Sequence, residues 1–127
     1  MNHLLLVVVG GGMGAGTRYL LGTYVSRLYS GLFPIGTFLV NLTGSFLIGM
    51  LMTAFVYRTK IDPAWRLFLV TGFLGGYTTF SSFEWETLAA IKGGVPLIAL
   101  SNVLLSVVLG FVGVWAGSLL TRGGRLR

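Results

Sequence analysis

Four apolar stretches, each close to the ~20 residues a helix needs to cross ~30 Å of hydrocarbon, take up almost the whole chain. They run about 4–28, 35–57, 66–91 and 95–120. The breaks are short: Ser30-Gly31 with Pro34, Arg58 to Pro63, and Lys92-Gly93-Gly94 with Pro96. Only 9% of the 127 residues are charged, against ~25% in a soluble domain, and 54% are hydrophobic. A water-soluble fold this short has too small an interior for that much apolar surface, which leaves lipid to cover it. The expectation is an all-α integral membrane protein, a single domain over 1–127 with four transmembrane helices and antiparallel neighbours. No basic n-region precedes the first stretch, and Gly10 to Gly16 interrupts its apolar run. It is therefore expected to be retained as a span and not cleaved as a signal peptide.

The same composition excludes several function classes. There is no cysteine, hence no disulfide framework and no thiolate chemistry. Asp62, Glu84, Glu86 and His3 are too few for metallo- or acid/base enzymology, so no enzyme is expected. The net charge of +6 comes from basic residues spread singly along the chain, mostly between apolar runs. Membrane proteins place loop charges this way, whereas a nucleic-acid site clusters them, so no nucleic-acid partner is expected. Gly10-Gly11-Gly12-Met13-Gly14-Ala15 meets the G-x-G-x-x-A spacing, but the next acid is Asp62 and the context is a lipid span. Gly10/Gly14, Gly12/Gly16 and Gly113/Gly117 instead read as small-residue pairs for close helix packing within the bundle.

Polar residues at spanning positions are costly and therefore informative. Thr37, Asn41 and Ser45 recur at i, i+4, i+8 on one face of the second span; Asn102, Ser106 and Gly110 do so on the fourth. The serines and threonine fit either a shared polar path or ordinary interhelical hydrogen bonds. Asn41 favours function, because a buried amide has many hydrogen-bonding sites to satisfy. The third span carries Gly75-Gly76-Tyr77-Thr78-Thr79-Phe80-Ser81-Ser82-Phe83 near its middle. Such a helix breaks or kinks there, and a break frees backbone carbonyls of the kind that hold ions in discontinuous helices. Phe80 and Phe83 fit packing or lipid contact, or an anion path in which positive ring edges meet the ion without binding it too tightly.

Gly36-Thr37-Phe38-Leu39-Val40-Asn41-Leu42-Thr43-Gly44 and Gly72-Phe73-Leu74-Gly75-Gly76-Tyr77-Thr78-Thr79-Phe80-Ser81-Ser82-Phe83 resemble the two signatures of the Fluc (CrcB) fluoride channels, and Gly11 to Arg18-Tyr19 resembles that family's first-helix pattern. The resemblance implies a passive fluoride-selective channel in the inner (plasma) membrane, built as an antiparallel, dual-topology homodimer with two pores. It implies that Asn41 lines the pore, that Phe80 and Phe83 form an aromatic box, and that Thr79, Ser81, Ser82, Ser106 and Asn102 contribute to a polar track. Arg18 would attract anions in a vestibule, and Glu86 matches the acid that follows the second phenylalanine. Backbone carbonyls of Gly75 and Thr78 would hold a structural, non-transported Na+. Two positions depart from the pattern: Glu84 stands where many relatives carry serine, and Asn102 where some carry tyrosine.

Loop charge pulls the other way on topology. Arg58, Lys60, Arg66, Arg122, Arg125 and Arg127 fall on one side against Arg27 and Lys92 on the other, which reads as one fixed orientation with cytoplasmic termini. Either that bias is overridden during insertion or a paired homologous subunit supplies the opposite orientation. Two rival functions are weaker. A small proton-coupled exporter wants a carboxylate in the first span, which has none; a non-transporting assembly subunit explains the glycines but not Asn41 or the third-span hydroxyls.

Overall fold

The computed structural model describes residues 2–57 and 61–123, and among these residues there are helices but no strand. Arg58, Lys60, Arg125 and Arg127 of the charge argument lie outside them. Helix α1 (His3–Leu28) starts at Asn2, whose side-chain oxygen accepts the Leu4 N–H at 3.0 Å. Helix α2 (Ile35–Tyr57) follows Pro34. Helix α3 covers 63–77, helix α4 is Ser81–Lys92, and helix α5 is Pro96–Gly123. The expected first, second and fourth stretches are thus each one helix. The expected third, 66–91, falls into two shorter helices separated at 78–80.

Among the described residues, only α1, α2 and α5 are individually long and apolar enough to cross a membrane, and their most apolar windows are just 17%, 22% and 11% buried. Soluble monomers rarely expose apolar patches beyond a few hundred Å². Here the outward sides carry Leu4, Val8, Leu20, Leu97, Leu104, Val107 and Phe111, all well exposed. Lipid is the solvent that fits such a surface, and the chain is a multi-pass membrane protein.

Helix α1 packs on α3 and α2, while α5 lies along α2 and meets α4. A small core of Val40, Leu74 and Tyr77 sits between α2 and α3, with Leu21, Leu47, Ile48 and Phe73 around it. Glycines set the helix spacing. A Cβ on Gly14 would strike the Phe73 carbonyl, one on Gly76 the Gly11 carbonyl, and one on Gly117 the Phe46 carbonyl of α2. Backbones therefore touch directly, as small-residue packing in membranes allows. Gly12 and Gly16 depart from the expectation: among the described residues, nothing beyond their own stretch of helix lies within 4 Å of a Cβ on either. Two residues along an α-helix turn the face by roughly 200°, so the side opposite the Gly10/Gly14 contact points out of the subunit.

Helix α3 is not regular. Asp62 caps it by accepting the Ala64 N–H at 2.8 Å, and Pro63 opens the first turn. Leu67–Leu74 then winds as a π-helix before Gly75–Tyr77 returns to α. Wider i→i+5 turns of this kind are frequent at functional sites. Here they lead directly into the 78–80 interruption.

Candidate functional site: a groove around the helix interruption

At Thr78 the backbone turns extended (φ −81°, ψ 157°), which ends α3. Thr78 still closes the helix below it, since its N–H and hydroxyl both donate to the Leu74 carbonyl at 3.0 and 2.9 Å. The next N–H, that of Thr79, would in an unbroken α-helix donate to the carbonyl of Gly75. It donates instead to Asn41 Oδ1 at 2.8 Å, and Asn41 Nδ2 donates to the Thr79 carbonyl, also at 2.8 Å. One side-chain amide thus takes the place of a peptide group. It satisfies both backbone groups of Thr79, and unpaired backbone is costly at membrane depth.

Around this point lies an open cavity of about 390 Å³, lined by Asn41, Ser45, Gly75, Thr78, Thr79, Phe80, Phe83 and Ser106 among others. The two polar stripes meet here: a Cβ on Gly110 of α5 would lie 3.6 Å from Ser45 Oγ of α2. Phe80 and Phe83 stand with ring centroids 5.7 Å apart and planes inclined by 40°. Phe80 is 70% exposed, so the groove lacks a wall on that side within the single chain.

On the other side of Thr79 is a second cavity of about 330 Å³, lined by Arg18, Tyr19, Thr37, Ser82 and Glu86, with Thr79 shared by both. Thr37 donates to Glu86 Oε1 at 2.7 Å, and Oε2 is buried without a protein partner among the described residues. Arg18 Nη1 donates weakly to the Thr78 carbonyl at 3.4 Å. Thr79 Oγ1 donates to Ser82 Oγ at 3.1 Å and accepts the Ser82 N–H at 3.3 Å, which supports the first turn of α4. The interruption is therefore a thin polar partition between a charged cavity and an aromatic groove.

Residues 5–118 match the family described as CrcB-like protein, Camphor Resistance (CrcB). The chain belongs to the CrcB family. It is similar nearly end to end to proteins called fluoride-specific ion channel FluC. With that of Solibacter usitatus (strain Ellin6076) it shares 56% identity over 118 residues, 93% of this chain and 97% of the relative. With that of Rhizobium meliloti (strain 1021) the identity is 43% over 122 residues, 96% and 98% of the two chains. With that of Sulfurihydrogenibium sp. (strain YO3AOP1) it is 41% over 122 residues, again 96% and 98%.

In this CrcB chain most of the residues picked out from sequence converge, but two do not. Asn102 is 2% exposed and does not line the groove; it is sealed between α5 and α4, where Nδ2 donates to Thr87 Oγ1 at 2.9 Å. A buried amide needs partners, and α4 supplies one only on its inward face. Ser81 is exposed at the start of α4 and lines neither cavity. Glu84 is exposed as well. Thr87 went unnoticed in the sequence, although its i+4 spacing from Phe83 was a usable signal: its hydroxyl donates to the Phe83 carbonyl at 2.8 Å.

No cluster of three His, Cys, Asp or Glu occurs among the described residues, and the cavity of about 390 Å³ is lined by neutral residues alone, so a cation there would meet neutral oxygens. The Gly75 carbonyl fits that role, because Asn41 has taken the N–H that an unbroken helix would give it. The Thr78 carbonyl carries only the long Arg18 bond. Neutral carbonyls suit a monovalent ion better than Ca2+ or Mg2+, whose sites include carboxylates.

Proposed function

We propose that this chain is a subunit of a fluoride channel through which cytoplasmic F− leaves the cell passively across the plasma membrane. The observation that carries the reading is the single groove in which Asn41, Thr79, Ser106, Phe80 and Phe83 converge, in a chain 56% identical to a fluoride-specific ion channel. A small anion is strongly hydrated, so a pore must replace its water with donors. The groove offers neutral ones: the remaining Asn41 N–H, hydroxyls, and the positive edges of two phenylalanines. None carries a full charge that would trap the ion. Arg18, in the second cavity, draws anions toward the partition, and the Thr79 and Ser82 hydroxyls lead past it.

The exposed Phe80 side supports an assembly of two antiparallel copies, each closing the other's groove and giving two pores. Helices α3 and α4 then cross the membrane together as one broken span, which makes four spans per chain. In the same assembly the Gly75 and Thr78 carbonyls would hold a Na+, which would supply a fixed positive charge without being transported. Where insertion favours one orientation, a homologous subunit takes the second place.

Liposomes loaded with fluoride and containing the purified protein test the proposal. Fluoride efflux well above protein-free vesicles, with little chloride efflux in parallel, is expected. Equal flux of both ions, or none, overturns it.

A further inference from the structure

A run of hydrogen bonds behind the groove joins two of its walls. Ser106 Oγ donates to Asn102 Oδ1 at 3.4 Å, Asn102 Nδ2 to Thr87 Oγ1 at 2.9 Å, and Thr87 Oγ1 to the Phe83 carbonyl at 2.8 Å. A threonine hydroxyl has a single proton, and this one goes to Phe83. Thr87 must therefore accept from Asn102, which fixes the orientation of the amide. Every donor points the same way. Ser106 and Phe83, the two ends, line the groove; Asn102 and Thr87 do not.

Two consequences follow from this direction. The turn of α4 that carries Phe83 is tied to α5 through a fully buried amide, so the rotation of α4, and with it the aim of the ring, depends on Asn102. The only Ser106 proton is also turned away from the groove, leaving lone pairs toward an incoming anion. Its bond to Asn102 is long at 3.4 Å and easily given up. A charge-assisted bond to an anion is stronger and shorter, so the hydroxyl turns when the ion arrives.

We infer that Asn102 is a positioning residue of the anion path: from behind the groove it aims Phe83 through Thr87 and keeps the Ser106 hydroxyl as a donor released to the ion. This rests on the fluoride-channel reading, but neither Asn102 nor Thr87 touches the ion.

The test compares Thr87→Val, which keeps the shape and removes the hydroxyl, with Thr87→Ser, which keeps the hydroxyl. Asn102→Leu and the double variant Asn102→Leu/Thr87→Val complete the set, all assayed beside wild type for fluoride efflux from liposomes and for thermal unfolding. Thr87→Val and Asn102→Leu are expected to lower fluoride flux by roughly three- to tenfold, the worth of one hydrogen bond. Thr87→Ser should stay near wild type. The double variant should fall no further than the worse single, because both changes interrupt one run. If Asn102→Leu does not fold, the two Thr87 variants decide alone. Wild-type flux in Thr87→Val, or losses that multiply in the double variant, overturns the inference. Absence of fluoride flux from the wild-type protein overturns the channel reading itself, and the inference with it.

Discussion

Asn41 pairs with both backbone groups of Thr79, accepting its N–H and donating to its carbonyl, each at 2.8 Å. A side chain on α2 thereby completes the hydrogen bonding of a chain segment between α3 and α4. The same exchange releases the Gly75 carbonyl, so one amide shapes the groove and the candidate cation site together.

Asn41→Ala and Asn41→Asp should both abolish most fluoride flux. Alanine leaves the Thr79 N–H and carbonyl unpaired, which costs roughly 1–3 kcal/mol per group. Aspartate keeps an acceptor for the N–H but sets a second acceptor against the carbonyl. Efflux assays and thermal unfolding on the same preparations check this. Near-normal flux in Asn41→Asp would exclude a donor role for the amide.

Phe80→Ile and Phe83→Ile should cut fluoride flux sharply while changing stability little. Swaps that keep apolar volume usually cost under ~1.5 kcal/mol, and Phe80 is largely exposed in the single chain. What is lost is the positive ring edge. Full flux together with a lowered unfolding temperature in both variants would assign the rings to packing.

Replacing all Na+ by a large organic cation should stop fluoride flux reversibly, since such an ion cannot enter a shell of backbone carbonyls. Most side-chain changes nearby should leave that dependence intact. Unchanged flux in the sodium-free medium would remove the Gly75 and Thr78 site from the proposal.

Gly14→Ala should destabilise the subunit by roughly 1–3 kcal/mol or more, because its Cβ would meet the Phe73 carbonyl and lie 2.8 Å from the Tyr77 nitrogen. Gly12→Ala meets no neighbouring helix among the described residues and should hold or slightly raise the stability of the subunit, as alanine favours helix over glycine. Unfolding of both variants in detergent compares them. Equal losses would contradict the helix rotation described above.

Hydropathy along the chain determined the lengths and limits of α1, α2 and α5, because a spanning helix satisfies its own backbone and needs only an apolar run. The 4-residue spacing of Thr37, Asn41 and Ser45, and the glycines before Thr78, likewise marked the polar face and the interruption from sequence alone. The tertiary structure decided which way each helix turns toward its neighbours. It paired Asn41 with a residue 38 positions away, drew Asn102 behind the groove instead of into it, and turned Gly12 and Gly16 outward. It also widened α3 into a π-helix that no residue pattern had signalled. The reason is physical: period and apolarity are local properties of one helix. Which face meets which partner depends on contacts between distant residues, and their energies take effect only once the helices have packed.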